Sequence, residues 1–131
     1  MTGDARYLID TGVFILYFRR DPKAVTFFRE TTNEMYYSRI TRKELLHPPI
    51  SAREKEEVIA FIQKYRIVNP DPPIAEGFSA LLERYTYLKD HLADALIAAT
   101  AWKKGLEIVT TNSRHFKPIA EINVKRFPED F

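Results

Sequence analysis

Residues 91–112 read HLADALIAATAWKKGLEIVTTN, and the fold turns on them. From His91 to Lys104 the segment is apolar almost all round, as a buried helix is, and Gly105 stands where a C′ residue closes one. Glu107-Ile108-Val109 follows, too short for a helix and β-branched, and reads as a buried strand. A buried helix feeding a buried strand is one unit of a parallel sheet with helices on its faces.

Outward from there the rest of the chain repeats the pattern. Tyr7-Leu8-Ile9 is a first strand, stopped by Asp10-Thr11-Gly12. Val13 to Arg20 reads as a helix ending in two cations, which suit a C-terminus. Asp21-Pro22 starts another, with Asp at the N-cap and Pro at N1, running to about Glu30. Met35 to Ser38 with Ile40 is a second strand. Thr41-Arg42-Lys43-Glu44 has capping-box spacing and opens a short helix that Pro48-Pro49 closes. Ser51 and Glu54 repeat the box before an amphipathic helix carrying Val58, Ile59, Phe61, Ile62 and Tyr65. Arg66-Ile67-Val68 is a third strand, and Asp71-Pro72-Pro73 starts a helix through Tyr85. Asn112 caps a short helix, and Val124 to Phe127 forms a last edge strand. The fold expected is α/β, with helices on both faces of a mainly parallel sheet of four to five short strands.

With 131 residues, 45% apolar and 29% charged, the chain fits one domain over 1–131 with one core. A net charge of +2 excludes a polycationic nucleic-acid binder, so any electrostatic footprint is local. The absence of cysteine excludes disulfides, thiolate metal sites and Cys nucleophiles. Met1 to Arg6 has no apolar targeting core, and no run approaches ~18 uncharged apolar residues. A cytoplasmic domain without a membrane partner is expected.

Right-handed crossovers bring the C-terminal ends of parallel strands to one edge, where such folds bind ligands. Asp10 follows the first strand, Thr41 and Glu44 the second, and Thr110, Thr111 and Asn112 the fourth. Asp90 and Asp94 lie at the start of the helix before the fourth strand. Four separate segments thus deliver carboxylates or carboxamides to one edge. Clustered carboxylates repel, and Mg²⁺ or Mn²⁺ offsets that repulsion through oxygen ligands. Such an ion lowers the pKa of water and stabilises charge developing on a phosphodiester. With no cysteine and only His47, His91 and His115, all-oxygen ligation is favoured over zinc.

Structural alternatives stand beside these roles. Asp10 could form a strand-end turn, although an acid at the end of a buried strand is costly unless satisfied. Glu44 could bond back to the Thr41 N–H as N3 of a capping box. Asp90, placed at i−4 to share the face of Asp94, could be an N-cap, and so could Asn112. Asp94 lies in a helix apolar almost all round, where a charge is anomalous. Thr11 and Thr110 are accessory groups beside the acids. Arg39, Arg42, Lys43 and Arg114 (with His115) are either phosphate contacts or a solvated face. The run Phe14 to Phe18 has apolar groups on more than one face, suiting an oligomer seam. Asp10-Thr11-Gly12 is also the signature of short dimeric aspartic proteases, but those are all-β and helical periodicity predominates here.

The segments Tyr7 to Thr11, Ser38 to Leu45, Asp94 to Ala101 and Val109 to Phe116 occur in the order seen in PIN-domain ribonucleases. The chain resembles these over nearly its whole length, above all the VapC-type toxins of bacterial and archaeal toxin–antitoxin pairs. The resemblance implies a PIN-like three-layer α/β/α sandwich and a metal-dependent endoribonuclease, homodimeric and silenced by a cognate antitoxin. It implies that Asp10, Glu44 and Asp94 form the acidic cluster that binds Mg²⁺ or Mn²⁺, with Asn112 at a fourth catalytic position. The chain departs from the pattern at Gly12, where the family usually has a small polar residue. Asn112 lowers the cluster's charge, which weakens a second ion position. A non-catalytic RNA-binding or interaction module of the same fold is the alternative.

Overall fold

The computed structural model describes residues 4–131; Met1, Thr2 and Gly3, the start of the N-terminal stretch considered above, lie outside the described residues. Tyr7–Ile9 (β1), Met35–Ser38 (β2), Arg66–Val68 (β3), Glu107–Thr110 (β4) and Val124–Arg126 (β5) form one sheet in the order β3-β2-β1-β4-β5. Every neighbouring pair is parallel.

Side chains alternate across this sheet with the period of a strand, and two cores result. Ile9, Met35, Tyr37 and Val109 join Phe14, Phe28, Leu45 and Phe61 on one face. Leu8, Ile108 and the half-buried Tyr36 join Ile74, Leu81, Ala98 and Phe116 on the other. The first face carries α1 (Thr11–Phe18), α2 (Pro22–Glu30), α3 (Arg39–Leu46) and α4 (Ala52–Ile62). The second carries α5 (Pro72–Arg84) and α6 (Leu92–Lys104). The result is the three-layer α/β/α sandwich, and an α/β body of this kind removes the aspartic-protease alternative. Much of the Phe14–Phe18 run is covered within the chain: Tyr17 stacks on Phe61 at 3.8 Å and Phe18 meets the same ring edge-on, leaving Ile15 37% exposed.

Several caps form as expected. The Asp21 carboxylate accepts from Ala24 N, Asp71 accepts from Ile74 N, and Ser51 with Glu54 makes both bonds of its box. Gly105 takes φ 66°, the left-handed turn that ends α6. Other element starts differ. Helix α1 begins at Thr11 rather than Val13, because Asp10 caps it, and Arg19 and Arg20 fall beyond its end. Helix α3 begins at Arg39, absorbing Ile40, because the Ser38 hydroxyl accepts from Ile40 N as soon as β2 ends. Thr41 is therefore inside the helix, and the Thr41–Glu44 box does not form. Helix α4 stops at Ile62, short of Tyr65, and β5 stops at Arg126, short of Phe127. Asp90 ends a separate 3-10 turn, Thr86–Asp90, and non-helical His91 (φ −140°, ψ 57°) divides it from α6. The i−4 relation of Asp90 to Asp94 is lost with that break.

Candidate active site

Strand β1 is central, and the chain departs from it first toward β2 and β3, then returns on its other side as β4 and β5. The crevice beyond the C-terminal ends of β1 and β4 is thus the topological switch point, where open α/β sheets bind ligands. Ile9 pairs with Val109 in register, so Asp10 emerges beside Thr110. The Thr110 hydroxyl donates to Asp10 Oδ2 at 2.7 Å, and Thr11 N donates to Oδ1 at 2.9 Å. Asp10 is only 8% exposed. Burial pushes its carboxyl up to about 6, against the lowering pull of those two hydrogen bonds, while the Asp94 and Glu44 charges push the same way as burial.

Helix α1 starts directly after Asp10, which puts Thr11 opposite α3. Its hydroxyl donates to Glu44 Oε1 at 2.6 Å and lies 2.9 Å from Thr41 Oγ1. Since Thr11 has one proton and gives it to Glu44, Thr41 donates to Thr11. The backbone restraint on Asp10 and the side-chain restraint on Glu44 thus come from one residue.

On the β4 side, Thr110 Oγ1 also accepts from Asn112 N at 2.9 Å. The Asn112 amide lies 2.9 Å from His115 Nδ1, which lies 2.6 Å from Asp94 Oδ2. A carboxylate only accepts, so Nδ1 holds the proton directed at Asp94. Asn112 makes no side-chain cap on the 3-10 turn Ser113–His115; its amide faces the histidine instead. Hydrogen bonds therefore join Glu44, Thr11, Asp10, Thr110 and Asn112 in one group and His115 with Asp94 in another, and the two groups meet where Asn112 faces the His115 ring.

The acids are not equally close. Among the described residues, three ligand atoms come within 4.8 Å of one another at His91, Asp94 and His115; Asp10, Glu44 and Asp94 do not close to that distance as a trio. Asp90 is exposed and stands outside both hydrogen-bonded groups. Arg39, Lys43 and Arg114 are exposed and Arg42 half-buried. None of the four forms an ion pair among the described residues. A Cβ at Gly12 would collide with Thr111 Oγ1, so Thr111 would have to turn away from any side chain there.

The sequence places Thr41 at this edge but not against Thr11, and it does not point to His91 and His115 as neighbours of Asp94. His115 lies in the Val109 to Phe116 segment, where the sequence pairs it only with Arg114. The i, i+3 spacing of His91 and Asp94 was the other available signal.

The donor set suits a hard divalent cation. Asp10 and Glu44 have no cationic partner among the described residues, and Asp94 has only His115. Mg²⁺ and Mn²⁺ accept carboxylate and carboxamide oxygens and retain waters that span wider gaps.

An α/β sandwich with acids at its switch point defines a class, and the comparisons agree with it. The model of the PIN domain family matches residues 7–122, and the chain belongs to that family. Among solved structures it resembles a toxin–antitoxin complex from Klebsiella pneumoniae at 28% identity and TM-score 0.76, over 88% of this chain and 94% of that one. VapBC2 from Rickettsia felis, bound to a DNA fragment from its promoter, matches at 16% identity and TM-score 0.76, over 92% and 98%. DNA-bound VapBC from Salmonella typhimurium matches at 23% and 0.68, over 94% and 98%. The last two likenesses are of fold. The VapC-type resemblance is thus matched by structures of toxin–antitoxin complexes. No curated protein matches the sequence. Among the described residues, no helix is long and apolar enough to cross a membrane.

Proposed function

We propose that the chain is a Mg²⁺- or Mn²⁺-dependent endoribonuclease, the toxin of a VapBC-type toxin–antitoxin pair acting in the cytoplasm. The main support is the link from Glu44 through Thr11 to Asp10, with the Asp94 charge near enough to help raise the Asp10 carboxyl, at the switch point of a PIN-family fold. Asp10, Glu44 and Asp94 are the residues that would hold the ion. When bound, it acidifies water and offsets negative charge developing on the scissile phosphodiester.

The protein's own groups prepare this. Thr110 and the Thr11 N–H fix the Asp10 rotamer, the Thr11 hydroxyl holds Glu44, and His115 orients Asp94. Asn112 directs a water from its place beside Thr110 and His115. Arg39, Arg42, Lys43 and Arg114, uncommitted to carboxylates, contact the RNA phosphates and position the strand without reading its bases.

The antitoxin's seat is the apolar groove of about 300 Å³ lined by Ile15, Phe18, Leu45, Ile50 and Val58, with Glu44 on its wall. A polypeptide laid there covers the exposed Ile15 and lies against Glu44. Two copies of the chain form a homodimer.

The test is cleavage of a structured RNA by the purified protein. Cutting requires Mg²⁺ or Mn²⁺, stops with EDTA, and falls at least about 100-fold in Asp10→Asn. Cleavage that survives EDTA, or matches in Asp10→Asn, contradicts the proposal. Asn112 and the spacing of the three acids favour a second reading, a non-catalytic RNA-binding module. RNA retained and uncut at saturating Mn²⁺ selects it.

A further inference from the structure

Two imidazoles approach Asp94 that the hard-ion set does not require. His115 Nδ1 lies 2.6 Å from Asp94 Oδ2, and the His91 and His115 rings are 4.3 Å apart between centroids. One ligand atom from each of His91, Asp94 and His115 lies within 4.8 Å of the other two, and all three side chains are half-buried. They come from three places: the residue before α6, its first turn, and the 3-10 turn after β4. The Tyr87 hydroxyl donates to the His115 carbonyl at 2.6 Å, which fixes the turn that carries this ring.

Two imidazoles and one carboxylate form a donor set chemically unlike the all-oxygen set. Mg²⁺ prefers oxygen, whereas Zn²⁺ takes nitrogen readily and is satisfied by three protein ligands with water in the fourth position. We propose that His91, Asp94 and His115 bind a borderline divalent ion of the Zn²⁺ class. The ion takes the place of the proton between His115 Nδ1 and Asp94 Oδ2; that proton passes through solvent to Nε2 of the same ring, which frees the Nδ1 lone pair and keeps the imidazole neutral. The two atoms open from 2.6 Å to about 3.3 Å, so that each reaches an ion at about 2.0–2.1 Å, a small rotation for half-buried side chains.

Asp94 then belongs to two competing sets. A Zn²⁺ ion here withdraws it from Asp10 and Glu44 and represses RNA cleavage, a consequence that rests on the nuclease reading. The binding site itself does not depend on that reading.

Two measurements on untagged protein test the site. In the first, Co²⁺ replaces Zn²⁺ and is followed by its visible absorption, which is intense only at low coordination number. The wild type shows that band, one equivalent of Zn²⁺ removes it, and excess Mg²⁺ does not. His91→Ala binds Co²⁺ at least about tenfold more weakly. In the second, nitrogen-15 spectra of wild-type histidines are recorded during Zn²⁺ titration, so no variant needs to fold. The His91 and His115 ring resonances shift together, while His47, exposed at the end of α3, does not. Unmoved His91 and His115 signals, or equal Co²⁺ affinity in His91→Ala, overturns the proposal. Stoichiometric Zn²⁺ stops Mg²⁺-dependent cleavage by wild type and spares His91→Ala; equal inhibition of both overturns the competition. If metal-loaded wild type cuts no RNA, the nuclease reading fails, and the Co²⁺ and histidine spectra still decide the site.

Discussion

Asp10 is the residue where burial and charge conflict most directly. A carboxyl raised from 3.8 to about 6 binds its proton more tightly in the folded protein than in the unfolded chain. The stability it contributes is therefore fully present below about pH 4 and is lost as pH rises through about 6. The difference amounts to on the order of 3 kcal/mol. Asn at this position still caps α1 but cannot ionise. Relative to wild type, Asp10→Asn should gain up to about 3 kcal/mol in urea unfolding between about pH 4 and pH 8, with the gain confined to the interval around Asp10's titration. A stability difference that stays flat with pH would show that Asp10 is not held against its charge. Glu44 shows how limited spacing is as a guide at this scale. Its place three residues after Thr41 satisfies the capping-box pattern, yet its carboxylate accepts a hydrogen bond from the hydroxyl of Thr11, 33 residues earlier.

Element boundaries depended on where neighbouring elements stopped. Ser38 and Thr41 are both good N-caps in sequence, and only the end of β2 at Ser38 decides between them. Ser38→Ala should consequently cost about 1 kcal/mol in urea unfolding, the usual value for a lost N-cap. A neutral effect would move the start of α3 back to Thr41. The same logic explains Asp90. A helical face shared with Asp94 presumes an unbroken helix, and the 3-10 turn ending at Asp90 removes that premise. By contrast, Asp21, Ser51 and Asp71 each satisfy a backbone N–H three residues ahead, so their caps were legible from local sequence alone. His91 and His115 were not, because their meeting requires α6 and β4 to fold back beside each other.

For the whole molecule, alternating short apolar strands and helices already implied a parallel sheet covered on both faces. Leu8 against Tyr7 and Ile9 shows why: one strand supplies both cores, which only a covered sheet permits. Strand order was not legible, since no local pattern states that the chain returns to the far side of β1. That return creates the switch point and brings the Asp10 and Asn112 segments together. The proposed cleavage requires a divalent ion held there by carboxylates from separate elements. Mn²⁺ titration followed by calorimetry tests this most directly, using wild type, Asp10→Asn, Glu44→Gln and His91→Ala. Wild type should bind Mn²⁺, the two carboxylate variants should bind at least about tenfold more weakly, and His91→Ala should stay within about twofold of wild type. Equal Mn²⁺ affinity in wild type, Asp10→Asn and Glu44→Gln would contradict it.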